Sequence, residues 1–220
     1  MIAARRAVFK FLPVLLAVLW PYNNGHASDW IGIPLSRLIG TSELIAYGSV
    51  REVLDSTILF QVSHKIGDEK AEIIEILKAE PDRFASVKPA PYETGQSYLL
   101  FLRKTQNAFP KLTWKIMGTA QEGQMPVIDN YIYLNDRYIE GIPLEHYRVN
   151  GVDLNIQRFE FRPFLNAIEE YRQCYQWIRQ GTDGNDLPKQ LCNDNQITVY
   201  RKKGFINNYL VTQTQAFITK

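Results

Sequence analysis

The sequence predicts a mainly β fold with helices at its two ends, and three features carry that prediction. Thr57 to Ile66 alternates, with Ile58, Phe60, Val62, His64 and Ile66 on one face and Gln61, Ser63 and Lys65 on the other. Tyr98 to Leu102 is an unbroken apolar run closed by Arg103-Lys104, short enough to be a strand covered on both faces. Pro163 to Arg179 repeats Phe164, Ile168, Tyr171, Tyr175 and Ile178 at three- and four-residue steps, the stripe of an amphipathic helix. Twelve tyrosines and eleven phenylalanines add to the strand bias.

The first residues read as a secretory signal peptide. Arg5, Arg6 and Lys10 make a basic start, Phe11 to Trp20 an apolar middle, and Pro21 breaks it. Gly25-His26-Ala27 offers small side chains at the two places a signal peptidase reads, so cleavage after Ala27 and a mature chain from Ser28 are expected. The apolar run is about half of the roughly 20 residues that cross a bilayer. The expected location is secreted or periplasmic, with no stable membrane span after signal removal.

Pro34 to Gly40 reads as a short helix, opened by proline and stopped by glycine, with Leu35, Leu38 and Ile39 towards a core. Glu43 to Leu54 reads as a strand in which Gly48 marks a bulge or bend. After Thr57 to Ile66 come strands at Ala71 to Ala79, Tyr98 to Leu102 and Leu112 to Met117. Gln124 to Ile128 and Tyr131 to Leu134 form a hairpin around Asp129-Asn130, and a turn at Asn135-Asp136 precedes Arg137 to Glu140. Beyond the long helix, 181–195 reads as a loop, and Gln196 to Arg201 and Tyr209 to Ile218 as late strands.

Two of these segments carry a family resemblance. The strand with Ile45, Gly48 and Val50, and the run Gly95, Tyr98, Leu99, Leu100, Phe101 and Leu102, together resemble the secreted OB-fold modules related to tissue inhibitors of metalloproteinases and netrin modules, in their cysteine-poor bacterial form. The resemblance covers roughly residues 33–134. It implies an OB-like β-barrel, here with a short N-terminal helix and a C-terminal amphipathic helix. The organisation expected is a signal peptide over 1–27, a barrel domain over 28–160, and a C-terminal helix with a disulfide-tied β tail over 161–220. The matching residues are those that pack a barrel. Animal inhibitors of this type set an N-terminal cysteine on the protease metal, whereas this chain has no cysteine before Cys174, so no inhibitory residue carries over.

Charge narrows the partners. The chain holds 25 Lys+Arg against 23 Asp+Glu, but three of the basic residues lie in 1–27, leaving 22 against 23 and a net −1 for the mature part. Nothing in this balance calls for nucleic acid. Cys174 and Cys192 are the two cysteines, and in an oxidising compartment an isolated pair forms a disulfide. They lack the CxxC spacing of a redox pair.

No catalytic set assembles from the sequence. His64 and His146 stand alone, without HExxH spacing, and His64 on an apolar strand face reads as a structural histidine. No metal site and no cofactor is expected, and there is no phosphate loop or nucleophile elbow. Asp129, Asp136, Glu140, Glu145 and Asp153 cluster in sequence, as a glycosidase pair would, but Asp129 and Asp136 sit in turn dipeptides. Tyr131 and Tyr133 share one strand face and are the expected contact surface; the competing view buries them beneath the 163–179 helix. The function expected is a non-enzymatic binding module for a protein, peptide or glycan partner of the envelope or the outside. The alternatives are a structural or assembly accessory of the cell envelope, or a hydrolase of unrecognised type.

Overall fold

The computed structural model describes residues 32–78, 92–105, 113–118, 122–134, 139–149, 152–180 and 185–218. The expected signal peptide and its cleavage point fall outside them, as do the turn at Asn135-Asp136 and the start of Arg137 to Glu140. Five strands close a barrel: β1 (Leu44–Val53), β2 (Thr57–Ile66), β3 (Ile73–Leu77), β4 (Ser97–Lys104) and β5 (Trp114–Ile116). They run in the order β1-β2-β3-β5-β4, and β4 pairs back to β1. Only β3 and β5 are parallel neighbours. This is the OB-like barrel expected from the sequence.

β4 is buried on both faces, as its unbroken apolar run requires. Tyr98, Leu100 and Leu102 point into the barrel with Phe60, Ile76 and Trp114. Leu99 and Phe101 point outwards into a second core built with the helices. β1 alternates in the same way, Leu44 and Ala46 inwards and Ile45 outwards. Gly48 lies where the β1–β2 register slips, so the expected bulge is present. A Cβ there would stand 1.9 Å from the Gln61 carbonyl oxygen, which excludes any other residue.

That bulge corrects the placing of His64. Tyr47 faces His64 while Gly48 faces Val62, so Ser63 is the extra residue. The slip moves everything beyond Ser63 to the other face. His64 is exposed rather than aligned with Ile58 and Phe60.

The sheet continues past the barrel. β6 (Gln124–Ile128) pairs with β4, and then come β7 (Tyr131–Leu134), β9 (Val152–Glu160) and β8 (Glu145–Val149). The hairpin at Asp129-Asn130 forms as expected, with both residues at positive φ, 49° and 65°. Strands β8 and β9 are additions to the expected element list.

α1 (Leu35–Thr41) buries Leu35, Leu38 and Ile39. Gly40 is not its stop: a Cβ there would stand 1.8 Å from Trp177 Cδ1, so the glycine lets the helix lie against that ring. α2 (Phe161–Cys174) is shorter than the expected 163–179 helix. Phe164, Ile168 and Tyr171 form its buried stripe, but the chain turns extended at Tyr175. Tyr175–Gln180 is strand β10, paired with β11 (Asn185–Gln190) inside the supposed loop. Aromatic and β-branched residues at Tyr175, Trp177 and Ile178 fit a strand as well as a helix, and the pairing decides.

The late strands are replaced by helices. α3 (Asp194–Lys202) starts on a capping box, Asn193 accepting from the Gln196 N–H while the Gln196 side chain accepts from Asn193 N–H. It buries Ile197 and Tyr200. α4 (Phe205–Ile218) buries Ile206, Leu210, Val211 and Thr214. Steps of three to five residues, not two, organise both segments. The Cys174–Cys192 disulfide is formed and closes the base of the β10–β11 hairpin, where Leu191 N–H also donates to the Cys174 carbonyl.

Candidate functional site

The sheet extension places four side chains together. Tyr131 pairs with Glu160 and Tyr133 with Arg158, and one step away on β8 Glu145 pairs with Ile156. Paired residues and residues two apart share a face, so Tyr131, Tyr133, Arg158 and Glu145 lie on one side of the sheet.

The Arg158 guanidinium sits over the Tyr131 ring, 4.4 Å from its centroid. Its Nε lies 2.8 Å from Glu145 Oε2. It also hydrogen-bonds the Tyr133 hydroxyl; that bond first, and the Glu145 carboxylate with it, holds the guanidinium charge more firmly than usual. Three neighbours therefore fix one arginine, and the arginine fixes one face of Tyr131.

The two tyrosines expected as contacts separate in role. Tyr131 is half-buried and takes part in the surface. Tyr133 is 1 % exposed and lies under it, so it serves as a support and not as a contact. The two differ in position along the strand: Tyr131 is the first residue of β7 and Tyr133 the third. Arg158, and the pairing of Glu145 with it, escaped the sequence reading because β8 and β9 did. The signal was present in the alternation of Val152, Leu154 and Ile156.

The other candidates disperse. His64 Nε2 lies 2.5 Å from Glu169 Oε1 and ties β2 to α2. His146 is exposed on β8. Among the clustered carboxylates, Asp129 occupies its turn, Glu140 is exposed, and Glu145 is committed to Arg158. Asp136 and the Asp153 side chain lie outside the described residues. The described residues bring together no group of three metal-binding side chains. They include no helix long and apolar enough to cross a membrane.

The buried carboxylate Glu122 is structural in its contacts. Its Oε1 accepts the Ile33 N–H at 2.9 Å, and the carboxylate fills space left by Gly32 and Gly118. Comparison with family models, with curated proteins and with solved structures finds no match to this chain.

Proposed function

We propose that the chain is a secreted or periplasmic non-enzymatic binding module whose contact surface is centred on Tyr131 and Arg158. The partner class is a protein, peptide or glycan of the same compartment. The observation that supports this is the locked Tyr131–Arg158 pair on the sheet extension. Tyrosine and arginine are the residues that most often anchor interfaces. Ordering a long side chain on binding costs about 0.5–1.5 kcal/mol, and here Glu145 and Tyr133 have already ordered the arginine.

A second surface fits the same reading. On the outer wall of β2 and β3, Ile73 is 39 % exposed, and Val53 and Leu54 at the β1–β2 turn are 37 % exposed. This wall and that turn are where OB barrels commonly bind.

The test is capture from periplasmic extract or culture medium by the purified mature chain. Tyr131→Ala with Arg158→Ala should keep the wild-type circular dichroism spectrum and lose the captured partner. Ile73→Ser should retain it. Loss on Ile73→Ser alone moves the contact to the barrel wall, and turnover of an ester, glycan or peptide substrate by the purified chain overturns the non-enzymatic reading.

A further inference from the structure

Two cations face each other on the barrel wall. In the β4–β5 register Arg103 stands directly opposite Lys115, and both are exposed. The ladder fixes them there. The Met117 N–H donates to the Phe101 carbonyl at 2.8 Å on one side, and the Thr105 N–H to the Thr113 carbonyl at 3.1 Å on the other. Their neighbours Leu102, Trp114 and Ile116 belong to the barrel interior, so Arg103 and Lys115 share the outer face. Like charges directly opposite on two strands destabilise a sheet. No counter-charge offsets this pair: neither side chain makes an ion pair or hydrogen bond among the described residues. The flanking strands carry carboxylates at Glu43, just ahead of β1, and at Glu75 on β3, but Glu75 accepts from Thr57 Oγ1 at 3.1 Å. A third cation adjoins the pair. Lys104 stands across from Trp114 with its Nζ 5.7 Å from the ring centroid.

We propose that Arg103 and Lys115 form a binding site for a phosphate group, free or as a phosphate monoester. Opposed residues on paired strands have Cβ atoms about 4.5–5.5 Å apart, so two long side chains reach one small group between them. A phosphate monoester carries about −1.5 to −2, which matches two cations, whereas a carboxylate carries a single charge. The arginine fork takes two phosphate oxygens, and the lysine ammonium serves a third as a point charge. Binding turns the repulsion within the pair into attraction towards the guest. A solvated face gains nothing by setting its cations in direct opposition, and a phosphate site gains its main contacts that way. The site lies on β4 and β5 of the barrel, and Tyr131 and Arg158 lie on β7 and β9, so it does not rest on the reading of that surface.

The test is thermal unfolding of the purified mature chain in sodium chloride and in inorganic phosphate, at matched pH and ionic strength so that screening is equal. Phosphate also strengthens burial in any protein, so the reading is the difference between wild type and variants. The wild type should gain about 2–4 °C more than Arg103→Gln or Lys115→Gln once phosphate exceeds its Kd about fivefold. Lys189→Gln removes an exposed cation on β11 and should keep the full wild-type gain. In chloride alone, Lys115→Gln should melt no lower than wild type, because it relieves the repulsion. An equal gain in wild type, Arg103→Gln and Lys115→Gln overturns the proposal. So does a Lys115→Gln protein that melts below wild type in chloride, since the pair would then already be neutralised. Sedimentation with phosphatidylcholine vesicles, with and without phosphatidic acid, separates the sources. Binding to the phosphatidic acid vesicles that Lys115→Gln loses assigns the phosphate to a lipid headgroup, and no binding beside a positive thermal result assigns it to a soluble ligand.

Discussion

β4 and the β10–β11 hairpin are both extended chain, and they are stabilised in different ways. In β4 the five residues Tyr98 to Leu102 are buried on two faces at once, one core inside the barrel and one beneath the helices. The hairpin buries one face only. Trp177 turns inwards against Gly40 and meets Phe217 edge-on, while its neighbour Ile178 is 42 % exposed opposite Leu187. Burying an aliphatic side chain is worth roughly 1.5–3 kcal/mol, so β4 rests on bulk burial. The hairpin has less burial to draw on and relies on point fixtures: the disulfide at its base, the Arg37–Asp186 ion pair, and one glycine that admits one tryptophan. A strand held by burial tolerates the loss of any single polar contact. A strand held by fixtures does not.

The largest effect should come from charging the doubly buried strand. Leu100→Asp places a carboxylate in the barrel interior with no partner, a change in the class that exceeds about 4–5 kcal/mol. No folded, soluble protein is expected. The matched change on the hairpin's open face, Leu187→Asp, should shift stability by no more than about 0.5 kcal/mol. Similar urea midpoints for the two variants would break the contrast between the strands.

Next in size is the bridge. Removing it with Cys174→Ser frees a loop whose closure is worth about 3 kcal/mol in the chain-entropy model. The loss should be local before it is global. Amide exchange in Tyr175–Gln190 should accelerate well beyond that in Ser97–Lys104, measured by hydrogen exchange on the native protein. Equal acceleration in both segments would show that the hairpin and barrel open as one unit, and that the disulfide serves the whole domain.

The same division explains what was legible beforehand. In the barrel, local pattern and tertiary demand agree. Ile58 and Phe60 alternate because one face is core, and Tyr98 to Leu102 does not alternate because both faces are. Asp129-Asn130 names its turn by its tolerance of positive φ. His64 was misplaced because a one-residue bulge is invisible in an alternation that continues through it. The C-terminal region is ambiguous at the level of pattern. Tyr175 and Ile178 continue the helical step of Tyr171, and only the pairing with β11 and the bridge at Cys174 show that the helix has ended. The segments of α3 and α4 are rich in Ile, Val, Thr and Tyr, which favours strands locally, and the Asn193–Gln196 capping box outweighs that bias in α3. At the candidate site the fold supplied what the pattern did not. Tyr131 and Tyr133 do share a face, but the partner that orders Tyr131 is Arg158, 27 residues later in the chain.

A smaller effect than loss of the bridge is set by pH and compares one tyrosine from each region. Burial pushes Tyr98 in β4 up to about 12, with the Glu93 charge adding to it. Burial likewise pushes Tyr171 in α2 up to about 12, against hydrogen bonds with Thr214 and Trp177 that pull it down. An unfolded tyrosine titrates near 10, so the unfolded chain loses these protons first. The contribution of each tyrosine is therefore complete below about pH 10 and is lost as pH rises towards 12. At pH 11 that loss is about 1.4 kcal/mol for each. Tyr98→Phe and Tyr171→Phe should each flatten the decline in stability between pH 10 and 12, followed by urea denaturation. At neutral pH the two should part. The Tyr98 hydroxyl donates to Gln96 Oε1, whose side chain reaches solvent, and its loss should be slight. The Tyr171 hydroxyl accepts from Trp177 Nε1 at 2.9 Å and lies 2.7 Å from Thr214 Oγ1, both buried. Tyr171→Phe leaves the buried Trp177 N–H without that acceptor, while Thr214 keeps its bond to the Leu210 carbonyl, and should cost about 1–3 kcal/mol at pH 7. Equal neutral-pH losses would mean that the barrel, too, depends on single polar contacts. An alkaline decline unchanged in both variants would place its source in other groups than these two buried rings.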